Sequence, residues 1–101
     1  MACYAIMKAE LVIRERLIFP DKSLVEMVVW RVPTPVPPTK HGFKYRLVYI
    51  VNGRRVLGYD NERGKGDRRH IDDREEAFDF VSIDNLLDRF VAEVEEMRSG
   101  S

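Results

Sequence analysis

The chain has 101 residues, of which 45% are hydrophobic and 34% charged, with ten aromatics and a formal net charge of zero. That length fits one domain with a thin core, and the apolar content excludes a disordered chain. No apolar run approaches 18 residues, so no membrane span is expected; the single cysteine, Cys3, excludes an internal disulfide and a cysteine-built zinc site.

The opening stretch, MACYAIMK, lacks the basic and apolar regions of a signal peptide, which leads to the expectation of a cytoplasmic protein. From Leu11 the residues alternate, with Leu11, Ile13, Glu15 and Leu17 on one side and Val12, Arg14, Arg16 and Ile18 on the other, and this period predicts a strand. The run SLVEMVVWRV is rich in β-branched residues and predicts a second strand, joined to the first through a turn at Pro20-Asp21. PTPVPPTKHG then places four prolines in six residues, which rules out a helix or a central strand and predicts a stiff connector.

FKYRLVYIV is the clearest strand, with Phe43, Tyr45, Leu47, Tyr49 and Val51 on one face. Asn52-Gly53 supplies the positive φ angles of a tight hairpin, and RRVLGYD returns as a fourth strand. The segment YDNERGKGDRRH, residues 59 to 70, reads as a charged loop extending to about Asp73. SIDNLLDRFVAEVEEMR follows with Ile83, Leu86, Leu87, Phe90, Val91, Val94 and Met97 on one helical stripe, Ser82 as N-cap and Asp84 at the positive end of the dipole. Residues 98–101 are expected to be a disordered tail. The predicted fold is α+β: a four-stranded antiparallel sheet of two hairpins, with the C-terminal helix packed on one face, in a single domain over 1–101.

The zero net charge is unevenly distributed. Residues 40–70 hold nine bases against three acids, +6, whereas residues 71–97 hold ten acids against Arg74 and Arg89, −8. A basic centre suits a polyanion, and the two segments can also neutralise each other within the fold. A sheet covered on one side leaves its other face free, and Lys44, Arg46 and Arg55 with Tyr45 are read as a surface for single-stranded RNA, joined by Arg68 and Arg69 of the loop. The competing reading is a solvated face whose cations discourage edge pairing.

Within the loop, Gly64-Lys65-Gly66 can turn sharply and form an anion nest, but the spacing of a phosphate-binding P-loop is absent. Metal-independent RNA cleavage needs a base for the 2′-hydroxyl, an acid for the leaving oxygen and cations around the phosphorane. His70, Glu62, Asp60, Arg63 and Lys65 are the candidate catalytic residues, with Glu62 or His70 as base and His70 or His41 as acid. The alternative for His70 is a surface histidine in an ion-pair network. Asp60, Glu62 and Asp67 could hold Mg²⁺, but four bases among them compete for the carboxylates, so neither metal nor cofactor is expected.

KAELVIRERLIFPD, VEMVVWRVPTPVPP, FKYRLVYIVNG and YDNERGKGDRRHI together resemble the TumE-like family of small prokaryotic toxins, from about Met7 to Phe90. The resemblance implies the toxin of a toxin–antitoxin pair, with a cognate helix-turn-helix antitoxin as partner. Family members typically begin near Met7, which makes residues 1–6 an N-terminal extension. They commonly carry histidine where this chain has Arg68, so here only His70 remains of a His-x-His ending. The functional expectation is a toxin acting on RNA, as a metal-independent ribonuclease, with a non-catalytic RNA- or protein-binding module as the alternative. A homodimer is compatible with either.

Overall fold

The computed structural model describes residues 9–100; residues 1–6 and Cys3 therefore lie outside the described residues. Six strands, β1 (Glu10–Ile18), β2 (Leu24–Arg31), β3 (Phe43–Val51), β4 (Arg54–Glu62), β5 (Gly66–Ile71) and β6 (Arg74–Ala77), form one sheet in chain order. Every neighbouring pair is antiparallel, and helix α1 (Ile83–Ser99) follows. The α+β class and the packed C-terminal helix agree with the sequence reading. The sheet has six strands, not four.

Of the two additional strands, β5 comes from the segment read as a charged loop, and β6 from the stretch just beyond it, which the sequence reading left without an element. Asp, Asn and Glu are poor strand formers, which hides the pattern in the sequence. Cross-strand partners compensate: Asp60 lies opposite Arg68, and Arg69 opposite Glu76, so opposite charges face each other across the ladder. Gly64 and Gly66, at φ +86 and +79, make the β4–β5 turn, and Asp72 at φ +51 begins the β5–β6 turn. Asn52 and Gly53 have φ +53 and +74, the positive pair that a tight β3–β4 hairpin requires.

Residue parity assigns the two faces. On one, Val25, Val29, Tyr45, Leu47, Tyr49, Leu57 and Tyr59 pack against Leu86, Phe90 and Val94 of α1, which makes the core. The helix starts where Ser82 accepts the Asn85 N–H at 3.0 Å, and Arg98 stands in its last turn. Arg98 and Ser99, expected in the tail, are helical. The other sheet face is open. Among the described residues no helix is long and apolar enough to cross a membrane.

The proline-rich connector between β2 and β3 folds back onto the β4–β5 turn. The Gly64 N–H donates to the Pro37 carbonyl at 2.8 Å, and Gly66 leaves room for the Pro38 ring, whose Cγ would stand 3.3 Å from an added Cβ. Together these contacts hold the charged hairpin against the body of the sheet.

Candidate functional site

The site develops from a defect in the β3–β4 ladder. Direct pairing ends at Arg46 and Asp60. Beyond it the buried Asn61 side chain stands in for a strand: its Oδ1 accepts the Tyr45 N–H at 3.0 Å, and its Nδ2 donates to the Phe43 carbonyl at 2.7 Å. An interposed amide holds two strands further apart than direct pairing, and Lys44 Nζ donates to the Asn61 carbonyl across the gap. On the open face, a hollow of about 490 Å³ lies at this splayed end, bordered by Val28, Trp30, Lys44, Tyr45, Arg46, Arg55, Asp60 and Glu62.

His70 lies on the same face. It is paired across the ladder with Gly58, beside Asp60, and its Nε2 is 3.1 Å from Asp60 Oδ1. An ionised carboxylate only accepts, so the proton of this bond sits on Nε2, and Nδ1 is the ring nitrogen that the Asp60 bond leaves free. Gly58 serves this arrangement by being small. A Cβ there would stand 3.0 Å from Arg55 Cδ, so glycine lets the Arg55 side chain lie along the sheet towards the hollow.

The remaining cations differ in how firmly they are held. Arg46 is only loosely matched, 4.0 Å from Glu26. Arg68, opposite Asp60, donates through Nε to Glu75 at 3.0 Å. Against the opposing effect of its own desolvation, that bond and the charge of Lys65 hold the Glu75 carboxyl below its usual range. Lys65, on the turn, stands 4.0 Å from Glu62 and 3.9 Å from Glu75. Arg63 borders an adjoining hollow with Val32, Pro33, Thr34, Val36 and Lys44.

Several sequence expectations are corrected here. Tyr45 is buried on the helix-covered face and presents no ring to a base. Its hydroxyl donates to Asp67 at 2.6 Å, and burial first, then that bond, pushes its pKa far above the usual value. Arg69 points to the same covered face, where it bonds Glu93, Glu76 and the Tyr59 hydroxyl, so it is a clasp between β5, β6 and α1. The expected anion nest is occupied, because the Gly64 N–H bonds Pro37 and the Lys65 N–H bonds the Glu62 carbonyl. Asp67 lies on the opposite face from Asp60 and Glu62, so that trio does not converge.

His41 is separated from His70 by the sheet. Its Nε2 bonds Asp67 at 2.8 Å, its Nδ1 accepts the Phe43 N–H at 3.3 Å, and its ring stacks on Phe80 at 3.8 Å. With both nitrogens engaged it is a structural link, not a partner for His70. Trp30, in contrast, was missed. It lies opposite Lys44 in the β2–β3 ladder, a placement that pairing the two strands by parity would have found.

Comparison with known proteins returns one family: a family model described as Toxin TumE matches residues 4–98, nearly the whole chain. That match suggests a toxin role and, with it, an antitoxin partner. Neither the curated proteins nor the solved structures contain a match.

Proposed function

This chain belongs to the toxin TumE family, and from that premise we propose that it is a cytoplasmic toxin that binds single-stranded RNA on the open sheet face and cuts it without a metal. The observation that carries the reading is the His70–Asp60 pair at 3.1 Å, beside a hollow that also holds Trp30, Lys44, Arg46 and Arg55. Trp30 offers a surface on which a base can stack, and the cations match the phosphates on either side.

The half-exposed Glu62 takes the proton of the 2′-hydroxyl. The freed oxygen attacks phosphorus to give a 2′,3′-cyclic phosphate, and the leaving 5′-oxygen takes a proton from the His70 imidazolium. Asp60 orients that ring, while Arg46, Arg55 and Arg68 face the charge that develops on the phosphorane. The test is cleavage of total RNA in EDTA by purified, antitoxin-free protein. The wild type should cut, and folded His70→Ala and Glu62→Ala should each lose at least about 100-fold in rate, in line with one general acid or base.

A non-catalytic reading has its own observation: the His70 side chain is only 11% exposed and is already bonded to Asp60. In that case the toxin occupies RNA without cutting it. Growth inhibition then survives His70→Ala, while Arg46→Ala and Arg55→Ala abolish it.

A further inference from the structure

On the covered face, α1 reaches only part of the sheet. Between α1 and the β1–β2 hairpin an apolar groove of about 540 Å³ remains, lined by Leu17, Phe19, Val25, Phe90, Val91 and Val94. Leu11 and Ile18, opposite Trp30 and Leu24, face the other side of the sheet, whereas on this side Leu17 is 55% exposed and Val91 42%. Contiguous exposed carbon of this kind marks an interaction surface more often than a solvated face.

The rim shows what fits it. Glu15 and Glu95 border the groove, and neither forms a salt bridge among the described residues. Arg98, the cation at the rim, is already committed: it donates to Ser23 at 2.9 Å, lies 3.3 Å from Asp21 and covers the Phe19 ring at 3.6 Å. The groove therefore presents an apolar floor with uncompensated negative charge on both banks. A second copy of this chain would bring the same two glutamates, so self-pairing through the groove sets like charges together. Extension of the sheet edge is also disfavoured, because β1 carries a bulge between Leu11 and Ile13 and the charged run Arg14-Glu15-Arg16.

We propose that this groove is the antitoxin-docking surface, and that it takes an amphipathic helix whose apolar stripe is flanked by lysine or arginine. Such a helix lays its stripe along α1 and β1 while its basic flanks meet Glu15 and Glu95. The proposal does not depend on the chemistry of the open face, which lies on the other side of the sheet.

The experiment is affinity of the purified cognate antitoxin for the full-length protein and its variants. Val91→Asp should weaken binding at least tenfold. Glu15→Lys combined with Glu95→Lys should do the same at low salt, with a smaller difference at high salt. All these positions are at the surface, so the variants should fold, and their RNA binding should equal the wild type's. Arg55→Ala should keep full antitoxin affinity. Loss of RNA activity in the wild type would sink the open-face reading and leave this one intact. The groove proposal is overturned if the antitoxin does not bind, if it binds the groove variants as tightly as the wild type, or if Val91→Asp instead converts a homodimer to a monomer.

Discussion

Asn61 shows how one side chain can create a site without entering it. Its amide replaces two backbone bonds at the end of the β3–β4 ladder, and the hollow opens where direct pairing stops. Asn61→Ala leaves the Tyr45 N–H and the Phe43 carbonyl without partners, and should cost about 2–3 kcal/mol in chemical denaturation. Gly58 acts in the opposite sense, through what it lacks. In Gly58→Ala the new methyl meets the flexible Arg55 side chain and, at 3.4 Å, the Leu47 carbonyl. Stability should therefore change by less than about 1 kcal/mol, while RNA affinity in filter binding falls several-fold as Arg55 is displaced. Equal affinity would mean that Arg55 does not touch RNA. At this scale residue type is a poor guide to role: Arg68 and Arg69 are neighbours in sequence, yet one lies on the open face bonded to Glu75 and the other is locked under the helix.

The β4–β5–β6 unit is a scaffold rather than a flexible loop. Arg69 joins it to α1 through Glu93, and the Tyr59 hydroxyl donates to the same carboxylate. The two charged side chains are 15% and 23% exposed, so water screens the pair in part. Arg69→Ala should cost about 2 kcal/mol, below the range for a fully buried pair, and should lower the melting temperature before it changes RNA binding. A different outcome, lost binding at unchanged stability, would return Arg69 to the site. The same contacts make an alkaline prediction. Burial, then the bond to Glu93 and its charge, push the Tyr59 pKa up to about 12, above the usual tyrosine value. The fold thus favours the protonated phenol, and this stabilisation is complete below about pH 10 and lost as pH rises towards 12. Tyr59→Phe should flatten part of the fall in urea midpoint between about pH 10 and 12, leaving the part due to Tyr45, which is shifted in the same direction.

Across the whole molecule, the sheet separates two surfaces: a cationic hollow on the open face, and an apolar groove with acidic banks beside the helix. The charge asymmetry in the sequence is thereby partly spent inside the fold, in Arg68–Glu75, Arg69–Glu76 and Arg69–Glu93, and partly left on opposite sides. Because a ligand on one face does not overlap a ligand on the other, a short single-stranded RNA and a peptide from the antitoxin should bind together. Anisotropy of labelled RNA should then change by less than about twofold when a saturating groove peptide is added, since the affinities of non-overlapping sites shift only through a coupling free energy. Displacement of the RNA would show that the two surfaces are coupled or that the peptide binds the open face.

The sequence by itself determined the α+β class, the Asn52-Gly53 hairpin, the helix with its Ser82 cap, and the family resemblance, because each rests on local period or on turn and cap chemistry confined to a few residues. It also singled out Asp60 and His70, though not their pairing. Only the tertiary structure decided that β4 runs on to Glu62 and that Gly66–Ile71 and Arg74–Ala77 are strands, since their propensity is weak and their stability comes from partners across the ladder. It alone turned Tyr45 and Arg69 inward and moved His41 to the far face. Parity along a strand follows from sequence, but which parity is covered depends on where the helix lands, and that is settled by long-range packing.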